Sequence, residues 1–198
     1  MHLGVENIHK VGAIGVPGYR WECKIVDENG VTVPQGEVGE LCVKGPGVMT
    51  CYYRNEEATA ETIKDGWLFT GDMARQDEDG FYFLVDRKKY VIVSGGENIY
   101  PVQIEDFLRK HDKIKDVAVI GLPDRRLGEK TAAIIEIKDG MTCTEEEIEN
   151  FCLELPRYKR PKQIIFHEIP RNATGKIEKP KLREMYGADK LVEKENEA

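Results

Sequence analysis

The chain has 198 residues, of which 40% are hydrophobic and 33% are charged, and its formal net charge is −7. This composition is typical of a soluble globular protein with one domain or two small ones, which excludes fibrous and disordered classes. No run of about 18 apolar residues is present and no basic and apolar leader opens the sequence, so a transmembrane or secreted protein is not expected. Five cysteines without CxxC spacing predict reduced thiols and a cytoplasmic location.

The first part of the chain, to about Val85, has the pattern of mostly β structure. WECKIVD (21–27) and VGELCVKG (38–45) alternate apolar and polar residues, and turn sequences separate them. An asparagine cap and an acidic first turn predict a short helix over 55–63, and FYFLV (81–85) is a further strand. Many short strands with glycine-rich turns favour a small barrel or sandwich.

After about Arg87 the pattern alternates between strands and helices. VIVSGG (91–96) is a short strand that runs into a glycine loop, and a proline opens a predicted helix over 101–111. An acidic first turn marks a second helix over 144–155, and a third helix is predicted to end at Gly187. Apolar runs predict three more strands, DVAVIGL (116–122), AAIIEI (132–137) and QIIFHEI (163–169).

These patterns predict an α+β fold class: a small β-barrel-like subdomain followed by a compact α+β domain with a small mixed sheet and flanking helices. The predicted domains are residues 1–88 and 89–198, joined by a hinge at about 86–90. The boundary is placed at DRKK (86–89), where the strand-rich pattern gives way to alternating helices and strands. The charged tail over 189–198 is expected to fray.

GWLFTGD (66–72) is the first segment with the chemistry of a binding site. Asp72 follows a glycine and is able to accept two hydrogen bonds from a cis-diol such as a ribose, and its charge strengthens both bonds. Taken by itself, the segment fits a turn capped by Asp72 better than it fits a ribose site.

DRKKYVIVSGGENIYPVQIE (86–105) is the second such segment. Arg87 is suited to a ribose or a phosphate, and Gly95 and Gly96 allow a ligand to approach the backbone closely. The segment has neither a GxGxxG fingerprint nor a Walker loop, so it lacks a standard phosphate cradle. The alternative interpretation is a strand–loop–helix turn with surface charges.

PRNATGKIEKPKL (170–182) is the third segment, and it lies in the most basic part of the chain. Lys176 follows a glycine in a polar turn, and a lysine is suited to neutralise charge where a phosphoryl oxygen is attacked. From Arg157 to Arg183 nine Lys or Arg residues stand against two acids, which would attract a polyanion such as nucleic acid, ATP or coenzyme A. Taken separately, these features fit a surface turn and a solvated charged face.

In this order and with these separations, the three segments resemble the C-terminal third of the acyl-adenylate-forming family, which includes acyl-CoA synthetases, aryl-CoA ligases, peptide-synthetase adenylation domains and firefly luciferase. The resemblance extends from about Gly12 to Met185 and includes GVPGYRWECKIVDENGVTVPQGEVGELCVKGPGVMTCYY, which precedes GWLFTGD. It implies an ATP-dependent enzyme that joins a carboxylate to AMP and then passes the acyl group to a thiol. The implied substrates are a small carboxylic acid, ATP with its Mg²⁺, and coenzyme A, with no nucleic acid partner and no resident metal.

The resemblance also assigns roles to individual residues. Lys176 matches the catalytic lysine needed for adenylation, Asp72 the ribose-binding aspartate, and Arg87 an arginine that contacts the nucleotide. Lys89 matches the hinge about which the C-terminal domain rotates between the two half-reactions. The SGGEN segment is expected to line the pantetheine tunnel and to contribute binding residues at Gly95, Gly96 and Glu97.

The family's Ser/Thr/Gly-rich phosphate loop and its acyl pocket are absent from this sequence, so we expect a fragment that is inactive without the N-terminal part of its own chain. Residues 1–88 correspond to the β-rich end of the large AMP-binding domain, and residues 89–198 to the mobile C-terminal domain. A fatty acid is the first expectation for the substrate, with an aryl acid or a carrier-protein-loading adenylation domain as the alternative. A non-catalytic nucleotide- or CoA-binding module stays open as a second class.

Overall fold

The computed structural model describes residues 1 and 3–187, so the predicted frayed tail lies outside the described residues. The backbone falls into two compact units, one that ends at Lys89 and one that begins at Tyr90. Both units combine strands with helices, which confirms the predicted α+β class. No helix within the described residues is long and apolar enough to cross a membrane.

The first unit is built on one antiparallel sheet. Its elements are β1 (Ala13–Gly15), β2 (Glu22–Val26), β3 (Gly39–Lys44), α1 (Glu56–Thr62), β4 (Ile63–Lys64), β5 (Trp67–Gln76) and β6 (Tyr82–Arg87). The strands pair in the order β1-β6-β5-β3-β2, and β4 pairs with β5. The part predicted to be barrel-like is therefore an antiparallel sheet with β1 and β2 as its end strands.

The alternating pattern of the strands accounts for the core of this sheet. Its buried residues are at most 5% exposed and come from four strands, Ile25, Leu41, Ala74 and Tyr82. The Tyr82 hydroxyl donates to the Cys23 carbonyl at 3.1 Å, so the buried ring keeps a partner for its polar end. Helix α1 begins where the sequence predicts, because the Asn55 side chain accepts a hydrogen bond from the Ala58 N–H at 3.0 Å.

The described part of the second unit, residues 90–187, contains a five-stranded sheet with three flanking helices. Its elements are β7 (Ile92–Ser94), β8 (Glu97–Ile99), α2 (Pro101–Leu108), β9 (Ile114–Asp124), β10 (Gly128–Ile137), α3 (Glu145–Phe151), β11 (Gln163–Phe166) and α4 (Lys179–Gly187). The strand order is β11-β10-β7-β8, and β9 pairs with β10. Because β10 and β11 are parallel while the other pairs are antiparallel, the predicted mixed sheet is confirmed.

Helices cover both faces of the β9–β10 pair. Ile104 of α2 and Ile148 of α3 belong to one buried cluster, and Leu182 of α4 belongs to the other. The neighbouring strand residues Val119 and Ile120 are divided between the same two clusters. Burial on both faces explains why these strands read as continuous apolar runs in the sequence instead of alternating.

Two helices are shorter than the sequence periodicity predicts. α2 ends at Leu108, and the Arg109 guanidinium donates to the Val117 carbonyl at 3.3 Å, which ties the following turn to β9. α3 ends at Phe151, and only a 3-10 turn follows it. Leu155 is extended because it precedes a proline, and a residue before proline avoids the helical conformation.

Candidate functional site

Asp72 and Arg87 lie opposite each other on the neighbouring strands β5 and β6. Arg87 Nη1 donates a charged hydrogen bond to Asp72 Oδ1 at 2.6 Å, and the side chain of Asp72 is 26% exposed. Among the described residues no hydrogen bond reaches Asp72 Oδ2. One carboxylate oxygen therefore stays available to a diol. The Asp72 side chain bonds Arg87 on the neighbouring strand, whereas the segment taken by itself fitted a turn that Asp72 caps.

The backbone beside Asp72 bends at Gly71, inside β5. The Gly71 φ of +71° lies in the left-handed region, which glycine adopts without the steric cost that other residues incur. The Thr70 hydroxyl accepts from the Asp72 N–H at 3.1 Å and donates to the Leu41 carbonyl at 2.8 Å. The Thr-Gly-Asp sequence thus stabilises its own bend and anchors it to β3.

Glu40 of β3 is a site residue that the sequence analysis did not single out. It is 6% exposed, and its two oxygens accept from the Gly71 N–H at 3.0 Å and from Lys88 Nζ at 2.7 Å. A buried carboxylate requires such partners, because burial without them is costly. The partners lie 31 and 48 positions along the chain, so the local sequence, a strand that also contains the charged Lys44, gives no signal for the burial of Glu40.

Three consecutive cations, Arg87, Lys88 and Lys89, stand where β6 ends and a 3-10 helix begins. Together with Gly71 they line a surface depression of about 290 Å³. The first compact unit ends at Lys89. The depression therefore joins the Thr-Gly-Asp bend to the predicted hinge, while the hinge motion itself stays a prediction.

Gly95 and Gly96 form a two-residue turn in a β-hairpin of β7 and β8, which we call the glycine hairpin (Ser94–Glu97). Their φ angles are +60° and +88°, and a tight hairpin turn with two positive φ angles strongly favours glycine. The Gly95 N–H donates to the Leu127 carbonyl at 2.8 Å, which ties the hairpin to the turn between β9 and β10. Glu97 is exposed. The structure thus explains both glycines by backbone geometry, and a ligand at the hairpin stays a prediction.

Lys176 lies on a tight turn that a single bridge between Arg171 and Ile177 closes. The side-chain oxygen of Asn172 accepts from the Thr174 N–H at 3.0 Å and from the Lys176 N–H at 2.9 Å. The side chain of Lys176 is exposed and, within residues 1 and 3–187, has no hydrogen-bond or ion-pair partner. Its backbone is therefore held while its ammonium group stays available to a ligand.

The structure groups the predicted site residues in three places. It brings Asp72 and Arg87 together in the first unit, it places Gly95, Gly96 and Glu97 on one hairpin of the second unit, and it places Lys176 on a separate turn of that unit. An acid–guanidinium pair suits the hydroxyls and oxygens of a nucleotide, and an exposed lysine suits a phosphoryl group. The part of the chain that the structure describes has no cluster of three or more His, Cys, Asp or Glu side chains able to hold a metal ion.

Sequence profiles of two domains match the chain. One, described as AMP-binding enzyme, matches residues 2–53, and the other, described as AMP-binding enzyme C-terminal domain, matches residues 103–176. The 2-succinylbenzoate–CoA ligase of Bacillus cereus (strain Q1) is 45% identical to the chain over 178 residues. That alignment covers 89% of this chain but 36% of the relative, so the chain spans little more than a third of the length of the curated relatives it matches.

Solved structures give the same assignment. MatB from Rhodopseudomonas palustris with ATP bound has a TM-score of 0.83 and 34% identity. The o-succinylbenzoate–CoA synthetase of Bacillus subtilis, in complex with its acyl-adenylate intermediate, has a TM-score of 0.82 and 34% identity, and both matches cover 89% of this chain and 36% of the other. Fold and site thus define a chain of the adenylate-forming class. It belongs to the AMP-binding enzyme family, which confirms the resemblance seen in the sequence.

Proposed function

We propose that the whole protein containing this chain is an ATP-dependent ligase that joins an aryl carboxylic acid to coenzyme A. The observation that carries the proposal is the Asp72–Arg87 pair, which supplies a charged acceptor and a guanidinium on adjacent strands of an AMP-binding family chain. A carboxylate accepts hydrogen bonds from both hydroxyls of a ribose, and a guanidinium suits the oxygens of a nucleotide. These two residues would therefore hold the nucleoside end of ATP, which enters with its Mg²⁺ as a substrate.

Lys176 acts in the first half-reaction. An oxygen of the acid attacks the α-phosphorus of ATP, the bond from that phosphorus to pyrophosphate breaks, and an acyl-adenylate forms. Negative charge is redistributed over the phosphoryl oxygens as this happens, and a positioned cation lowers the barrier. The exposed ammonium of Lys176, on a turn whose backbone is held by Asn172, supports this role.

The glycine hairpin and Lys89 act in the second half-reaction. The thiolate of coenzyme A attacks the acyl carbon, the carbon–oxygen bond to AMP breaks, and AMP leaves. Gly95 and Gly96 present backbone without side chains, which suits the close passage of a narrow pantetheine arm. Lys89 stands at the end of the first compact unit, where a change of backbone angles would reorient the second unit between the two steps.

The relatives support an aryl acid as the substrate. The curated relative acts on 2-succinylbenzoate. A further solved relative is an anthranilate–CoA ligase in complex with anthranoyl-AMP. It is 35% identical to this chain with a TM-score of 0.82, and the match covers 91% of this chain and 36% of that chain. Both acids carry an aromatic ring. The fatty acid that the sequence analysis preferred is therefore replaced by an aryl acid, which was its alternative.

A substrate panel tests the proposal. The whole protein is incubated with ATP, Mg²⁺, coenzyme A and one acid at a time: 2-succinylbenzoate, anthranilate or octanoate. We expect pyrophosphate, AMP and an aryl-CoA thioester, identified by mass spectrometry, with an aryl acid and not with octanoate. A thioester from octanoate alone would contradict the aryl assignment, and no acid-dependent pyrophosphate release with any acid would contradict the ligase.

Asp72→Asn tests the observation that carries the proposal. The substitution removes the charge that strengthens the ribose hydrogen bonds, so the KM for ATP should rise by on the order of 10- to 100-fold. Glu78→Gln is the matched control, because it removes one negative charge from an exposed turn between the same two strands. An equal KM for ATP in both variants would show that Asp72 does not bind the nucleotide.

A further inference from the structure

Lys176 stands between two basic residues that are anchored to the body of the second unit, Arg171 before it and Lys179 after it. Both belong to one ion-pair network, made up of Lys179, Glu105, Arg109, Asp116 and Arg171. We propose that this network positions Lys176, so that adenylate formation depends on it and thioester formation does not. The inference rests on the proposed function and identifies residues that prepare its first half-reaction.

Arg171 holds the beginning of the Lys176 turn. Its guanidinium forms an ion pair with Asp116 of β9, and its Nη1 donates to the Gly175 carbonyl at 2.7 Å. Arg171 is therefore bonded at once to the central sheet and to the residue directly before Lys176. The Asp116 side chain is 16% exposed and the Arg171 side chain 43%, so water reaches this pair from the Arg171 side and screens it in part.

Lys179 holds the other end of the turn, where α4 begins. It is only 7% exposed, and its Nζ lies 2.7 Å from Glu105 Oε1. The same oxygen accepts from the Val119 N–H of β9 at 2.8 Å. A lysine is rarely buried without such pairing, so the position of the Glu105 carboxylate determines where the chain leaves the turn.

Arg109, which follows α2, joins the two anchors. Its Nη2 lies 3.8 Å from Glu105 Oε2, and its Nε donates to Asp116 Oδ1 at 3.3 Å. The network therefore runs without a break from the buried Lys179 to the exposed side of Arg171. The two ends of the Lys176 turn are thus held through ion pairs by Glu105 of α2 and Asp116 of β9.

On energetic grounds, the ion pairs of the network are better suited to fixing the position of Lys176 than to raising the free energy of unfolding. Taking charges out of water is costly, and a buried ion pair often contributes no more to stability than well-packed apolar side chains of similar size. What ion pairs and charged hydrogen bonds do supply is a defined geometry. A lysine that must meet a phosphoryl oxygen needs that geometry, because misplacement by about 1 Å costs on the order of 10²-fold in rate.

The exposed end of the network gives the clearest test. In the whole protein, single-turnover rates are measured for acyl-adenylate formation and for thioester formation from a supplied acyl-adenylate. Arg171→Met should slow the first step by on the order of 10- to 100-fold and leave the second within about twofold. Arg171→Lys should restore part of the loss, since it keeps a cation for Asp116 but loses the guanidinium fork. Lys181→Met is the matched control, an exposed lysine of α4 outside the network, and it should change neither step.

The buried end needs a paired substitution. Lys179→Met alone would leave the buried Glu105 with only the more distant Arg109 as a cation and endanger folding, so it is combined with Glu105→Gln, which removes the charge and keeps the shape. This double variant should show the same selective loss of adenylate formation. Its thermal unfolding and its rate of thioester formation report whether the unit is still folded.

Lys176→Ala serves as the reference for all variants. If it slows adenylate formation selectively while Arg171→Met slows both steps equally or neither, the positioning inference is wrong and the proposed function stands. If Lys176→Ala itself has no selective effect, both the role of Lys176 and the inference built on it are overturned. A selective loss in Lys176→Ala, Arg171→Met and the double variant, with an unaffected Lys181→Met, supports the inference.

Discussion

Lys176 and Lys179 are three residues apart in the sequence GKIEK, yet they meet opposite surroundings. Lys176 is exposed, whereas Lys179 is 7% exposed and paired with Glu105. The two lysines lie in the same basic stretch, Lys176 in the turn and Lys179 at the first residue of α4, and nothing in the local sequence predicts that one is exposed and the other buried. The glycine before Lys176 and the family resemblance single that residue out in the sequence, whereas only the structure shows that a distant helix supplies the partner of Lys179.

Lys176→Ala is expected to separate the two half-reactions. Removing the cation that meets the α-phosphate should slow adenylate formation by on the order of 10²–10³-fold or more. Thioester formation from a supplied acyl-adenylate should be nearly intact, since that step makes no new bond at phosphorus. Quenched-flow measurement of each step in the whole protein checks this, with Lys181→Ala as the control. Equal slowing of both steps would rule out the assigned role.

The five cysteines should differ in reactivity according to their burial. Cys42 and Cys152 are buried, and burial raises the pKa of each thiol to about 11, while Cys51 is exposed. At pH 8 only about one thiol in a thousand is then ionised at a buried site, and the thiolate is the reactive form. Iodoacetamide should label Cys51 first and should label Cys42 and Cys152 only in denaturant, as mass spectrometry would show. Equal labelling of Cys42 and Cys51 in the folded chain would contradict this.

At the scale of single elements, the glycine hairpin is a motif in which two separate requirements, ligand access and backbone conformation, each favour glycine. From the sequence, Gly95 and Gly96 are expected to let a ligand approach the backbone, and the structure shows that a hairpin turn with two positive φ angles already favours glycine at both positions. The two explanations predict different effects of replacing either glycine by a larger residue. Steric strain lowers stability, whereas a blocked tunnel slows only the second half-reaction.

Gly96→Ala should destabilise the second unit by roughly 1–2 kcal/mol, because a Cβ in the left-handed region is strained. Apart from its chain neighbours, no atom of the described residues lies within 4 Å of the new Cβ, so the loss would come from φ alone. Gly95→Ala should cost at least as much, since its Cβ would also approach Leu127 Cδ2 at 3.3 Å. Native-state hydrogen exchange of second-unit amides measures both, with Gly187→Ala as the unstrained control. An unchanged exchange rate in Gly96→Ala would show that the turn has another conformation.

The start of α3 is a local device that the sequence predicts well. Thr144 and Glu147 form a reciprocal capping box, in which each side chain bonds the backbone of the other. Lys113 lies far away in sequence and donates to Glu147 at 2.7 Å. The acidic first turn was readable from composition, and the ion pair that strengthens it was not.

Glu147 should titrate at an unusually low pH. Lys113 first, and then the Thr144 N–H and Cys143, lower the pKa of Glu147 to about 2. Since the folded-state pKa is depressed, the stabilisation is complete above about pH 4.5 and is lost as the pH falls from there through about 2. NMR titration of the Glu147 carboxyl group checks the value. Lys113→Met should raise the pKa toward its ordinary range, and no change in that variant would exclude the ion pair as the main cause.

Across the whole molecule, features that depend on interactions between sequence neighbours can be predicted, and features that depend on contacts between distant residues cannot. Helix starts at Asn55 and Thr144 and the apolar β9 and β10 strands depend on neighbours in sequence, so their patterns predict them. The order of the first sheet includes the β1–β6 and β3–β5 pairings, which join strands that are not neighbours in sequence, so the sequence patterns predict the strands but not their order. The role of Glu40 is not predictable for the same reason, because its partners Gly71 and Lys88 are distant in sequence and come together only in the fold.

Lys89→Pro tests whether the end of the first unit acts as a hinge in the whole protein. Proline fixes φ, so it should hold the backbone at one angle and prevent the reorientation that the second half-reaction requires. Adenylate formation should continue, while thioester formation should fall by on the order of 10²-fold, the cost of a misplaced reactant. Lys89→Ala is the matched control, because it removes the same charge and leaves φ variable, and both steps should be preserved in it. Separate single-turnover measurements decide the matter. If Lys89→Pro slowed adenylate formation as much as thioester formation, the substitution would have damaged the site instead of a hinge, and if it slowed neither, the reorientation would take place elsewhere in the chain.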